Sequence, residues 1–173
     1  MELRAKVLTV SDRVSHGESE DLSGPALVLT LQRAGYVIVE HRLVADGLDS
    51  VSAALREMAH DFSGLLITTG GTGFSPRDLT PEATLSVLER EAAGFGELMR
   101  ATNAFGALSR ARAGTLGSCL IVNTPGSPNG ATESLTALLA LLPHALEVLT
   151  GESVRHPPDT GGSTAISSSG PTP

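Results

Sequence analysis

The run Gly64-Leu65-Leu66-Ile67-Thr68-Thr69 carries no charge and passes directly into Gly70-Gly71-Thr72-Gly73. Six residues are short for a core helix, and a strand apolar on both sides of its pleat has to be covered on both faces. In a chain of 173 residues, the length of one domain, helix layers above and below a sheet supply that cover. The flanking sequence agrees. Leu3–Ser11, Tyr36–Val44 and Ser118–Asn123 read as further strands, with Leu108–Arg112 a weaker one. Between them lie helical patterns. Gly24-Pro25 opens one, with Leu27, Leu31 and Ala34 on one face and Gly35 at the left-handed cap. Asp49 and Ser50 are expected to cap a second, which carries Val51, Ala54, Leu55 and Met58. Thr80 is expected to cap a third, with Pro81 at its first position and Glu82 placed well against the helix dipole. A fourth runs from about Phe95, with Leu98, Met99 and Phe105 sharing a face, and a fifth covers Ala131–Leu142 before Pro143 breaks or re-caps it. The alternation predicts an α/β fold, a three-layer α/β/α sandwich with a mostly parallel sheet.

Residues 1–156 are expected to form that one domain. From 157 to 173 the composition turns to Ser, Thr, Gly and Pro, which predicts a disordered tail. No apolar run approaches the roughly 20 residues of a membrane span, so no membrane role is expected. Met1–Thr9 lacks the signal-peptide pattern, and with a single cysteine the expected location is cytoplasmic. A net charge of −7, no Trp and one Tyr argue against nucleic acid as a partner, because phosphate neutralisation and base stacking both lack their residues. All the cations except Lys6 are Arg, so an anion site must use Arg, backbone N–H groups or a metal.

Several chemistries fail on inspection. No Lys follows a Gly as a Walker loop needs, and Pro76 stands where a dinucleotide fingerprint wants its third glycine. The five histidines show no zinc spacing, Cys119 sits alone in an apolar strand, and no Gly-x-Ser-x-Gly elbow is present. The Gly70–Gly73 loop has two readings: a tight turn, or a backbone cradle for an anion at the carboxyl edge of a sheet. Its neighbours favour the cradle. Thr68, Thr69 and Thr72 bring hydroxyls, Arg77 a guanidinium, and Asp78 a carboxylate able to hold Mg²⁺. Asp46, after the second strand, is placed to meet Asp78 at the same edge.

Five segments then occur in one order: Thr9-Val10-Ser11-Asp12-Arg13, Asp21-x-Ser23-Gly24-Pro25, Thr69 through Thr84, Leu108-Ser109-Arg110 and Asn123-x-Pro125-Gly126-Ser127-Pro128. Together they resemble the molybdopterin adenylyltransferase family of molybdenum-cofactor biosynthesis, including its bacterial single-domain members and the related domains of plant Cnx-type proteins and gephyrin. The resemblance spans about Leu3 to Arg155 and implies a molybdopterin-binding fold. It also implies transfer of AMP from ATP to the terminal phosphate of molybdopterin, with Mg²⁺ and release of pyrophosphate. On that likeness Asp78 and Asp46 are the catalytic, magnesium-holding carboxylates. Ser11, Asp12, Thr69, Gly70, Gly71, Thr72 and Gly73 would face nucleotide and phosphates. Ser109, Arg110, Asn123, Gly126 and Ser127 would shape the pterin pocket. The run Val44-Ala45-Asp46-Gly47 lacks the second acidic residue many members carry there, and Thr124 stands where Leu or Met is usual. A homotrimer is expected, because Ala131–Leu142 offers more apolar surface than one domain needs. Molybdate insertion would fall to a separate protein. Two other readings of the fold are a pterin carrier without catalysis and a nucleotide-cleaving domain like that of the competence-damage superfamily.

Overall fold

The structure, a computed structural model, describes residues 2–102 and 104–151. Its first half runs β1 (Arg4–Val10), the single turn α1 (Asp12–Ser15), α2 (Ser23–Arg33), β2 (Val37–Val44), α3 (Leu48–Ala59) and β3 (Gly64–Thr69). The second half runs α4 (Thr80–Val87), β4 (Arg90–Glu91), α5 (Ala93–Arg100), a 3-10 turn (Ala104–Leu108), β5 (Ala113–Leu116), β6 (Cys119–Thr124), α6 (Pro128–Leu138) and α7 (Leu142–Thr150). The strands form one sheet in the order β2-β1-β3-β6-β5-β4. Neighbours from β2 to β6 pair parallel, and β5 runs against both β6 and β4. This is the expected three-layer α/β sandwich.

Alternation along the central strands builds two cores. Leu65, Ile67, Leu120 and Val122 face one side, where they meet Leu27 and Leu31 of α2, Leu135 and Leu138 of α6, and Leu142 and Leu146 of α7. Leu66, Cys119 and Ile121 face the other, against Val51, Leu55 and Met58 of α3 and Ala83 and Val87 of α4. Every residue of β3 and β6 is buried. Each fully buried Leu or Ile there contributes about 1.5–3 kcal/mol. The parallel register places Val10, Val44, Thr69 and Thr124 together at one edge. The loops leaving β1, β2, β3 and β6 therefore converge, which is where an open α/β sheet binds ligands.

Several local expectations are corrected. Leu108–Arg112 is not a strand: it begins as the end of the 3-10 turn, and pairing starts only at Ala113. α3 starts at Leu48 after Gly47, whose φ is +130°, so Asp49 and Ser50 lie inside its first turn rather than at its cap. α4 begins at Thr80 with Leu79 at the cap position, and the Thr80 hydroxyl makes no capping bond. Phe105 lies outside α5 and is exposed. The long apolar helix is two, α6 and α7, with Pro143 in the first turn of the second. Ala131, Leu135, Leu138 and Leu142 of that stretch are buried in the chain's own core, whereas Leu141 is exposed. The expected tail, 157–173, lies outside the described residues. Among those described, no single helix is long and apolar enough to cross a membrane.

Candidate active site

The glycine loop is tight because backbone from the ends of β1 and β6 crowds it. Gly70 has φ +101°, and a Cβ there would lie 2.1 Å from the Val10 carbonyl oxygen. Its N–H donates to the Thr124 carbonyl at 3.3 Å. Gly71 has φ +63°, and a Cβ would sit 2.3 Å from Thr80 Oγ1 and 2.9 Å from Asp46 Oδ1. Glycine is thus required by space as well as by dihedral angle. A single guanidinium braces the rest of the loop. Arg110 donates through Nε to the Gly73 carbonyl at 2.8 Å, through Nη2 to the Asp78 carbonyl, and through Nη1 to Glu82. Its own N–H donates to the Thr72 carbonyl at 3.0 Å.

Two carboxylates face the convergence of loops. Asp78 Oδ2 accepts the Ser75 N–H at 3.0 Å, which folds the loop back on itself. Asp46 Oδ2 accepts the Asp12 N–H at 2.7 Å, whereas its Oδ1 is buried with no hydrogen-bond partner. Burial pushes the Asp46 carboxyl above its ordinary range, and the charges of Asp12 and Asp78 push the same way against the Asp12 N–H and Arg77. Asp12 is held low by its bonds from Arg77. Among the described residues no three His, Cys, Asp or Glu side chains gather as they would for a metal held by protein alone.

Two clefts open from this point. The larger, about 720 Å³, is lined by Thr72, Gly73, Met99, Arg100, Phe105, Leu108, Ser109, Ala111, Ser127 and Glu133, among others. The smaller, about 340 Å³, is lined by Ser11, Arg13, Glu20, Asp21, Asp46 and Gly70, among others. Gly71, Asp78 and Gly126 line both. The arrangement admits two ligands whose ends meet beside Asp78, with Asp46 close by.

Ten of the residues singled out in the sequence line one cleft or the other: Ser11, Asp46, Gly70, Gly71, Thr72, Gly73, Asp78, Ser109, Gly126 and Ser127. Four do not. Asn123 is fully buried; its Nδ2 donates to Thr68 Oγ1 and Thr84 Oγ1, and its Oδ1 accepts the Arg112 N–H. Thr69 is buried and donates to the Pro125 carbonyl at 2.7 Å. Asp12 is engaged by Arg77, and Arg110 by the loop. These four hold the walls rather than face the space. Arg77, read as a phosphate ligand, is likewise tied to Asp12 and to the Asp46 carbonyl. Arg13 was missed. It lines the smaller cleft, no carboxylate lies within ion-pair distance among the described residues, and its signal was its place in Ser11-Asp12-Arg13.

The family described as "Probable molybdopterin binding domain" matches residues 6–144, and the chain belongs to it. A molybdopterin adenylyltransferase of Helicobacter pylori (strain J99) is 40% identical over 152 residues, covering 84% of this chain and 86% of its own. The crystal structure of the molybdopterin biosynthesis enzyme MoaB from Thermus thermophilus superposes with a TM-score of 0.82 at 43% identity, covering 87% of this chain and 98% of that one. CinA of Thermoplasma acidophilum, with a TM-score of 0.63 at 20% identity over 79% of this chain and 96% of its own, shares the fold.

Proposed function

We propose that this chain is a molybdopterin adenylyltransferase, transferring AMP from ATP to the terminal phosphate of molybdopterin. The observation that carries the reading is the pair of clefts joined at Gly71, Asp78 and Gly126. Two phosphate-bearing substrates enter from opposite sides and meet at their phosphates. A pterin phosphate oxygen attacks the α-phosphorus of ATP, the α–β bridging bond breaks, and pyrophosphate departs. No covalent enzyme nucleophile is needed, so alignment and charge stabilisation supply the catalysis. The smaller cleft takes the nucleotide phosphates, with Arg13 and the Gly70 and Gly71 backbone facing them. The larger takes the pterin, bordered by Ser109, Gly126 and Ser127.

The donor set fits magnesium. Asp46 Oδ1 is a buried oxygen without a partner, Asp78 lines the same cleft, and Mg²⁺ commonly takes one or two carboxylates plus substrate phosphates. Asp46 and Asp78 would hold it, and when bound it supplies charge neutralisation between two anions. The test is incubation with molybdopterin, ATP and Mg²⁺, followed by mass analysis. Adenylylated pterin and pyrophosphate are expected. Tight pterin binding with no product would overturn catalysis in favour of a carrier.

A further inference from the structure

The chain has five aromatic side chains other than His: four Phe and one Tyr. Tyr36 and Phe62 are buried, and Phe95 packs against the core. The remaining two are the most exposed large apolar residues described, Phe105 at 81% and Phe74 at 71%. Both stand by the larger cleft. Phe74 follows Gly73 and lies under the Arg110 guanidinium, 5.9 Å from its ring centroid. Phe105, on the 3-10 turn between Ala104 and Leu108, lines the cleft itself, which Gly126 and Ser127 also line. Leaving two rings in water costs hydrophobic stabilisation that a core position would have provided. A ring at the mouth of a cleft acquires a use when a planar ligand covers its face.

We propose that Phe105 is the stacking surface for the pterin ring in the larger cleft, and so a specificity-determining residue for the acceptor substrate. This rests on the adenylyltransferase reading for the identity of the ring. The cleft supports it chemically: Met99, Leu108 and Ala111 line it with apolar surface, suited to the flat body of a heterocycle. Thr72, Ser109 and Ser127 bring hydroxyls to a ring edge or phosphate. Asp78 lies where the phosphate end must reach. Phe105 is therefore a substrate-contacting residue that needs no part in the chemical step.

The experiment measures calorimetric affinity for a pterin monophosphate and, separately, for ATP with Mg²⁺. It uses wild type, Phe105→Ala, Phe105→Leu and Phe105→Tyr. Because the ring is outside the core, all four should melt alike. Ring-on-ring stacking is worth about 1–3 kcal/mol, so Phe105→Ala should weaken pterin binding by roughly fivefold or more and leave ATP within twofold. Tyr should retain the affinity, and Leu should not restore it. Equal pterin binding by wild type and Phe105→Ala overturns the proposal. Wild-type affinity in Phe105→Leu overturns stacking in favour of simple apolar cover, and a loss confined to ATP assigns the ring to the nucleotide. If wild type forms no adenylylated product while pterin affinity still depends on the ring, the catalytic reading fails and this one stands.

Discussion

Asp12 and Asp46 exchange hydrogen bonds in both directions: the Asp12 N–H donates to Asp46 Oδ2 at 2.7 Å, and the Asp46 N–H donates to Asp12 Oδ1 at 3.1 Å. The loops leaving β1 and β2 are thereby locked to each other, 34 residues apart in sequence. One carboxylate oxygen of each residue serves that lock. Asp12 gives its remaining capacity to Arg77, and Asp46 keeps Oδ1 unpaired for the cleft.

Asp46→Asn should separate stability from activity. Burial raises this carboxyl above its ordinary 3.8, so the folded state resists the charge that the unfolded state accepts. With the folded value raised, wild type loses stability as pH climbs past 3.8, and the amide escapes that loss. The amide oxygen can still accept the Asp12 N–H. Without metal or ATP, the variant should melt above wild type at pH 7, with the gap closing as pH falls to the ordinary aspartate range. A variant melting below wild type at pH 7 would contradict this. Adenylyl transfer should fall by about 100-fold or more, the scale of losing one electrostatic group.

Asp78→Asn should cost turnover on the same scale, about 100-fold, since its carboxylate stands where both clefts meet. The double variant should be less damaged than the product of the singles, because on the proposed function the two groups would serve one assembly. Strict multiplication of the losses, measured as kcat/KM, would show independent roles.

Arg110 reaches two carbonyls and a carboxylate at once, which a lysine cannot do with one point charge. Arg110→Lys should therefore lower kcat more than it raises KM for either substrate, because the loop carrying Asp78 loosens. A selective rise in KM for the pterin alone would make Arg110 a pterin contact instead of a brace for the loop.

Glycine replacements should rank by what a methyl group meets. Gly35 has φ +88° but open space around it, so Gly35→Ala should cost about 1–2 kcal/mol from backbone conformation alone. Gly70→Ala adds a clash with the Val10 carbonyl and should cost distinctly more. Urea melts giving equal losses would refute the ranking.

Cys119 should resist iodoacetamide at pH 8 in the native protein and react on unfolding. Burial pushes its thiol up to about 12, and the thiolate is the nucleophile. Native labelling at the rate of a free thiol would show that β6 opens.

The four parallel strands were legible because β-branched and apolar runs with turn chemistry at their ends mark a buried sheet. β5 was not. Ala113-Gly114-Thr115-Leu116 has little strand propensity of its own, and a Cβ on Gly114 would lie 2.3 Å from the Arg90 carbonyl. Its identity comes from pairing with β6 and β4, information that no local window holds. The glycine loop and two of the cleft aspartates, Asp46 and Asp78, could be read from residue type and order. The places of Asn123 and Arg110 could not, since a polar residue bordering a strand looks the same whether it faces a ligand or a neighbouring hydroxyl. Thr68 and Thr84, distant in sequence, decide the matter for Asn123.

Where the loops after β3 and β6 meet, main chain lies against main chain: a Cβ on Gly126 would come within 3.2 Å of the Gly70 Cα. So thin a partition offers no side chain whose exchange would retune one pocket and spare the other. On the proposed function, selection for a new acceptor, or for a different nucleoside donor, would then act away from this seam, around Phe105 in one cleft and Asp21 in the other. The centre is common property of both clefts, and drift there reshapes both at once.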